Sequence, residues 1–142
     1  MAIIKEKKIR IVSTIENLDE NGLVVDEPEI NKSECAGFLK ISEDEFVISY
    51  AEITENGKII SDIVIMQDGI RVKRTGAVKS DMYFAEGRTD KSLYEVSPYA
   101  FDAEIYTRKI RNSITRDGGR IDLFYNMKIG GADKSVRMKI EC

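Results

Sequence analysis

Histidine and tryptophan are absent from this 142-residue chain, and cysteine and proline occur only twice each. Without histidine the chain cannot assemble a Ser-His-Asp or Cys-His relay, an imidazole proton shuttle or a two-histidine metal site. Any catalysis falls to carboxylates, Tyr, Lys, Arg or Cys, so an enzyme is the less expected reading and no catalytic residue is assigned. The two cysteines, Cys35 and Cys142, stand far apart and make no zinc motif, and no metal or cofactor is expected. A disulfide between them is disfavoured in a reducing compartment. No apolar run approaches the roughly 20 residues of a membrane-spanning helix. The first residues, Met1-Ala2-Ile3-Ile4-Lys5-Glu6-Lys7-Lys8, lack the apolar stretch of a secretory signal. The expected location is the cytoplasm, with no membrane partner.

The composition is 42% hydrophobic and 33% charged, enough apolar material for one core. The expected organisation is a single domain over residues 1–142. The net charge of −3 hides an uneven distribution. Residues 16–62 carry 13 acids against 3 bases, and residues 71–120 carry 11 bases against 7 acids. Solvated strand faces account for this, and a chain that is acidic overall is not expected to bind nucleic acid.

Strand-like segments cut by short turns fill nearly the whole chain, and no stretch has the period of a long amphipathic helix. Residues 8–17 alternate Ile9, Ile11, Ser13 and Ile15 against Arg10, Val12, Thr14 and Glu16. Residues 18–36 break this rhythm, with a turn at Asn21-Gly22, a short strand at Val24-Val25 and a stop at Pro28. They are expected to form the longest irregular loop. From Gly37 the pattern is regular. Strands are expected at 38–41, 46–54, 59–67, 70–75, 82–86, 93–96, 101–115, 120–129 and 135–141. The turns between them centre on Ser42-Glu43-Asp44-Glu45, Asn56-Gly57, Asp68-Gly69, Gly87-Arg88-Thr89-Asp90, Asp117-Gly118-Gly119 and Gly130-Gly131. Nine or ten consecutive antiparallel strands curl and close, which removes exposed edges. The expected fold is all-β, an up-and-down antiparallel barrel, with a two-sheet sandwich as the alternative.

Period-two alternation assigns inward faces. Phe46, Ile48, Tyr50 and Glu52 share one face; Ile70, Val72 and Arg74 share another; Ile121, Leu123, Tyr125, Met127 and Ile129 a third. Val136, Met138 and Ile140 are expected to point inward while Arg137 and Lys139 face water. Glu52 and Arg74 stand out, because a charge on an apolar face needs a partner or solvent. They are expected to approach each other near Tyr50, within salt-bridge reach. Tyr94, Tyr106 and Tyr125 are further candidates to present hydroxyls to an interior. The glycine pairs lack a following helix and so fail the phosphate-loop contexts.

In order along the chain stand Ile48-Ser49-Tyr50-Ala51-Glu52, Lys73-Arg74-Thr75-Gly76, Met82-Tyr83-Phe84, Tyr94-Glu95-Val96-Ser97-Pro98, Thr107 and Ile121-Asp122-Leu123-Phe124-Tyr125. This series resembles the YwiB-like bacterial proteins, a family of unknown function, over roughly residues 8–140. The family's Arg-x-Gly is intact at Arg74-Thr75-Gly76, while its Tyr-Glu-Glu stands here as Tyr50-Ala51-Glu52. The resemblance implies a calycin-like (lipocalin-like) barrel and no assigned activity. Together the motifs and the inward faces make Tyr50, Glu52, Arg74, Tyr94, Thr107 and Tyr125 the candidate ligand-binding set. The expected function is a non-catalytic barrel that binds a small molecule at its open end. The alternative is a solid-cored structural or interaction module, such as a homodimer.

Overall fold

The computed structural model describes residues 2–43 and 45–142. Among the described residues there is no α-helix, and ten antiparallel strands make up one sheet. They are β1 (Ile3–Leu18), β2 (Val24–Ile41), β3 (Phe46–Thr54), β4 (Gly57–Ile65), β5 (Ile70–Gly76), β6 (Ser80–Phe84), β7 (Thr89–Val96), β8 (Tyr99–Asn112), β9 (Arg120–Ile129) and β10 (Ala132–Glu141). The sheet order is β6-β5-β4-β3-β2-β1-β10-β9-β8-β7. Every strand but β6 lies beside the next in sequence, and the first pairs with the last, so the meander curls into a nearly closed barrel. The β1–β10 ladder runs from Arg10↔Glu141 to Leu18↔Asp133. The remaining seam, between β6 and β7, is stitched by an isolated Lys79↔Glu95 bridge with reciprocal backbone hydrogen bonds of 2.9 and 2.8 Å. Below it, Gly87 and Thr107 share a further backbone bond of 2.8 Å.

Alternation places the core as the sequence predicts. Ile48, Tyr50, Val72, Ile121, Leu123, Tyr125, Val136, Met138 and Ile140 are all buried. Arg137 is exposed, and Lys139 is half-buried against Glu141 at 3.5 Å. Both cysteines are free thiols. One end of the barrel carries the β1–β2, β3–β4, β5–β6, β7–β8 and β9–β10 connections and is called the upper end. The lower half is filled by Ile41, Ile65, Ile70, Phe84 and Ile140. Its floor is the β8–β9 connection, which tucks Ile114 inward. Lys5 and Lys7 of β1 hold that connection by donating to the carbonyls of Arg116 and Asp117 at 2.6 and 2.7 Å.

Two sequence expectations need correction. Residues 24–36 are not a loop: they belong to an 18-residue β2 that pairs with β1 almost throughout. Pro28 and the positive φ of Asp26 (64°) lie opposite a register shift between Ile15 and Asn17. Proline is tolerated there because β2 meets β3 only from Gly37↔Tyr50 to Ile41↔Phe46, leaving residues 24–36 as a free edge. The second correction concerns Asn56-Gly57. Thr54 pairs with Gly57, so Glu55-Asn56 occupy the turn centre and Gly57, at φ 122°, opens β4. Asp44 of the β2–β3 turn lies outside the described residues; Ser42 and Glu45 close that turn with a 3.0 Å backbone bond.

Because β10 sits between β1 and β9, deleting residues 135–142 unpairs both neighbours and removes Val136, Met138 and Ile140 from the core. Each of those side chains contributes about 1.5–3 kcal/mol of burial. The truncated chain is expected to aggregate on expression. A soluble product melting at the full-length temperature in calorimetry contradicts this account of closure.

Candidate functional site

Strand register sets an inward-facing row across five strands. Gly37 of β2 pairs with Tyr50 of β3, Tyr50 with Ser61 of β4, Ser61 with Arg74 of β5, and Arg74 with Ser80 of β6. Gly37 is required at the head of the row: a methyl there would collide with the Ser49 carbonyl and the Ile9 side chain. On the opposite wall Thr107 of β8 pairs with Tyr125 of β9, and Tyr125 with Val136 of β10. Tyr125 reaches across the barrel, its ring 4.7 Å from that of Phe84 and tilted by 56°. Phe84 is fully buried, and the inward hydroxyls of Ser61, Ser80 and Thr107 lie on the upper side of this aromatic pair among apolar residues such as Ile11 and Ile105.

The upper half holds buried polar groups that the protein does not satisfy. Ser61 and Thr107 are fully buried, Ser80 is 6% exposed, and the three hydroxyl oxygens have no hydrogen-bond partner among the described residues. Ser61 lies close enough to Tyr50 to influence its phenol, but without hydrogen-bond alignment. A buried oxygen of Asp90 is also unbonded, although Arg88 Nε stands 3.1 Å from it as a charge contact. Leaving a buried hydroxyl unpaired costs about 1–3 kcal/mol, and a polar pocket shared by three is unusual for a core of pure packing.

Arg74 is the cation of this chamber. It is half-buried, and among the described residues no carboxylate lies within 4.0 Å of it. The sequence-based expectation of a Glu52–Arg74 ion pair is therefore not met. Register explains why: Glu52 pairs with Ile59, which pairs with Gly76, so Glu52 sits one inward rung nearer the rim than Arg74. Burial pushes the Tyr50 phenol up; the Arg74 charge partly offsets this and Glu52 adds to it. Burial pushes Tyr125 up to about 12, again against the pull of Arg74, with Tyr94 raising it slightly. Arg74 thus stands electrostatically between Tyr50 and Tyr125, with half-buried Tyr94 beside the latter. Tyr106 does not join them: it lies on the outer face, 40% exposed.

The sequence set Tyr50, Arg74, Tyr94, Thr107 and Tyr125 meets in one region, with Glu52 at its rim. Ser61 and Ser80 were missed, since serine in a strand carries no signal until register shows which residues flank it. β2 and β3 part above Gly37↔Tyr50, leaving half-buried Cys35 and Glu52 on the two lips. Burial, with a smaller push from Glu52, raises the Cys35 thiol.

The family model described as Domain of unknown function (DUF1934) matches residues 9–140. The chain belongs to this family. It is 26% identical over 102 residues to the uncharacterized beta-barrel protein YwiB of Bacillus subtilis (strain 168), an alignment covering 72% of each chain. The crystal structure of the ywiB protein from Bacillus subtilis superposes with a TM-score of 0.76 at 22% identity, covering 97% of this chain and 94% of that one. That likeness establishes the barrel fold.

Two measurements check the geometry. Tyr50 and Tyr125 have phenols raised above their unfolded value of about 10, so their protonated forms stabilise the fold. That contribution is complete below about pH 10 and is lost as pH rises toward the folded value, by about 1.4 kcal/mol per pH unit for each phenol. The melting temperature is expected to fall steeply between about pH 10 and 12. Tyr125→Phe should flatten that fall; parallel profiles for the two proteins rule out a buried phenol. Separately, a double-mutant cycle of Glu52→Gln and Arg74→Met is expected to show a coupling below about 0.5 kcal/mol in urea unfolding, as for groups that do not touch. A larger coupling restores the ion pair.

Proposed function

We propose that this protein is a non-catalytic, cytoplasmic barrel that binds a small molecule at its open upper end. The observation that supports this is the set of buried hydroxyls of Ser61 and Ser80, on the strands flanking Arg74, and of Thr107 on the opposite wall, none of them with a partner, and an arginine with no carboxylate within 4.0 Å, among the described residues. Evolving a core that leaves these groups unsatisfied costs stability, and the same groups gain partners when a polar ligand enters. β2 and β3 pair over only five residues and β6 and β7 through a single bridge, and such gaps in the ladder are where a ligand would pass.

A second reading, a filled interaction module that dimerises, has its own support. The surface grooves, about 240 to 690 Å³, run along the outside and the rim, and none is lined by Tyr50, Arg74, Thr107 or Tyr125. The free edge of β2 also exposes Val24 and Ile30. A ligand of the interior must therefore open space there rather than drop into one of these grooves.

Thr107→Val separates the two readings. It keeps the side-chain shape and removes a buried, unpaired hydroxyl. Native mass spectrometry after incubation with a small-molecule cell extract is expected to show an adduct on the wild type and less of it on the variant. The variant is expected to be equally or more stable, by up to about 1 kcal/mol. A wild type that takes up nothing and sediments as a dimer favours the interaction module and overturns the ligand reading.

A further inference from the structure

We infer that the ligand of the upper chamber is an oxyanion, a carboxylate or a phosphate group, seated on Arg74 between the two walls of the barrel. This rests on the small-molecule reading above and names the chemistry the chamber selects.

The argument is an inventory of what the chamber offers. Ser61 and Ser80 flank Arg74 on the adjacent strands, about 4.8 Å away on either side at ordinary strand spacing. Thr107 and Tyr125 face them from β8 and β9, and Tyr50 continues the row on β3. Each hydroxyl has a proton to donate, and the phenols, whose ordinary value of about 10 is raised further by burial, keep theirs at neutral pH. The guanidinium donates only. A concave group of donors around one cation matches a group that only accepts and carries negative charge.

Among the described residues Arg108, Arg111 and Arg116 also lack a carboxylate within 4.0 Å, but all three are exposed to solvent, and the remaining arginines are paired. Arg10 pairs with Glu34, Arg71 with Asp81, Arg88 with Asp90, and both Arg120 and Arg137 with Asp122. Arg74, with its face turned inward and neutral hydroxyls for neighbours, is held in a place where a cation is costly without an anion. Glu52 does not supply that anion, being one rung nearer the rim. From there it repels an incoming oxyanion and so tunes affinity downward.

The test uses inorganic phosphate, benzoate and the neutral benzamide as probes of the full-length protein at constant ionic strength. Binding is followed by backbone amide shifts in nuclear magnetic resonance. Phosphate or benzoate is expected to move the amides of Ser61, Arg74, Ser80 and Thr107, with benzamide about tenfold weaker or worse. A response to phosphate alone assigns a phosphorylated ligand; a response to benzoate alone assigns a carboxylate. Arg74→Met should lose about tenfold or more in anion affinity, and Glu52→Gln should gain about two- to fivefold. If Arg74→Met does not fold, Arg74→Lys, which keeps the charge without the fork, is expected to fall between it and the wild type. Benzamide binding as well as benzoate, or an Arg74 variant binding anions like the wild type, overturns the oxyanion inference. No probe shifts while the extract adduct persists also overturns it, and leaves the small-molecule reading standing. No probe shifts and no adduct overturns both.

Discussion

The antiparallel ladder between β1 and β10 is the constraint on which the barrel depends. It joins the two ends of the chain and gives β1 a partner on each side over residues 10–18. Consecutive hairpins alone would leave a curled ribbon with two exposed edges. This ladder moves the discontinuity to β6 and β7, whose short bridge through Lys79 and Glu95 is enough because these strands are already neighbours in sequence. Closure in turn decides the interior. Every inward residue now faces another wall rather than water, so each inward polar group must find a partner or carry a cost.

The interior is not uniform along its axis. The lower half obeys ordinary packing, with isoleucines, leucines and Phe84 sealed by a floor that two lysines fasten to β1. Above the Phe84–Tyr125 contact serine, threonine, tyrosine and arginine join apolar residues such as Ile11, Ala103 and Ile105 among the inward groups. The unzipped stretch of β2 lies beside this half. Arg74, being only half-buried, keeps part of its contact with solvent, which offsets some of the cost of its charge. The exposed β2 edge is protected against strand addition by Pro28, the kink at Asp26 and the acidic run of Asp26, Glu27 and Glu29.

Much of the barrel was legible before any coordinates, because period-two alternation and Gly-containing turns are local signals. Inward faces such as Ile121-Leu123-Tyr125 followed from alternation alone. β2 failed because its evidence is not local. Val24 to Lys32 are exposed on both faces and lack alternation, and the strand exists only because β1 offers it a long ladder. The site was half legible for the same reason. Tyr50 and Arg74 announced themselves as polar groups on apolar faces. That Ser61 lies between them, and that Glu52 sits a rung away from Arg74, depends on register across three strands, which hairpin spacing does not fix until each turn is known. The one-residue difference between Asn56-Gly57 and Glu55-Asn56 as the turn centre shows how fragile that bookkeeping is.

The chemistry of the chamber argues for holding a molecule rather than transforming it. A general base near neutral pH needs a group that readily gives up its proton, and the two phenols are pushed the other way by burial. The half-buried Cys35 thiol is raised as well, so it rests in the protonated form that is a poor nucleophile. What remains is Arg74 with hydroxyl donors on the neighbouring strands and Glu52 at the rim, the set of groups that the oxyanion proposed above would meet.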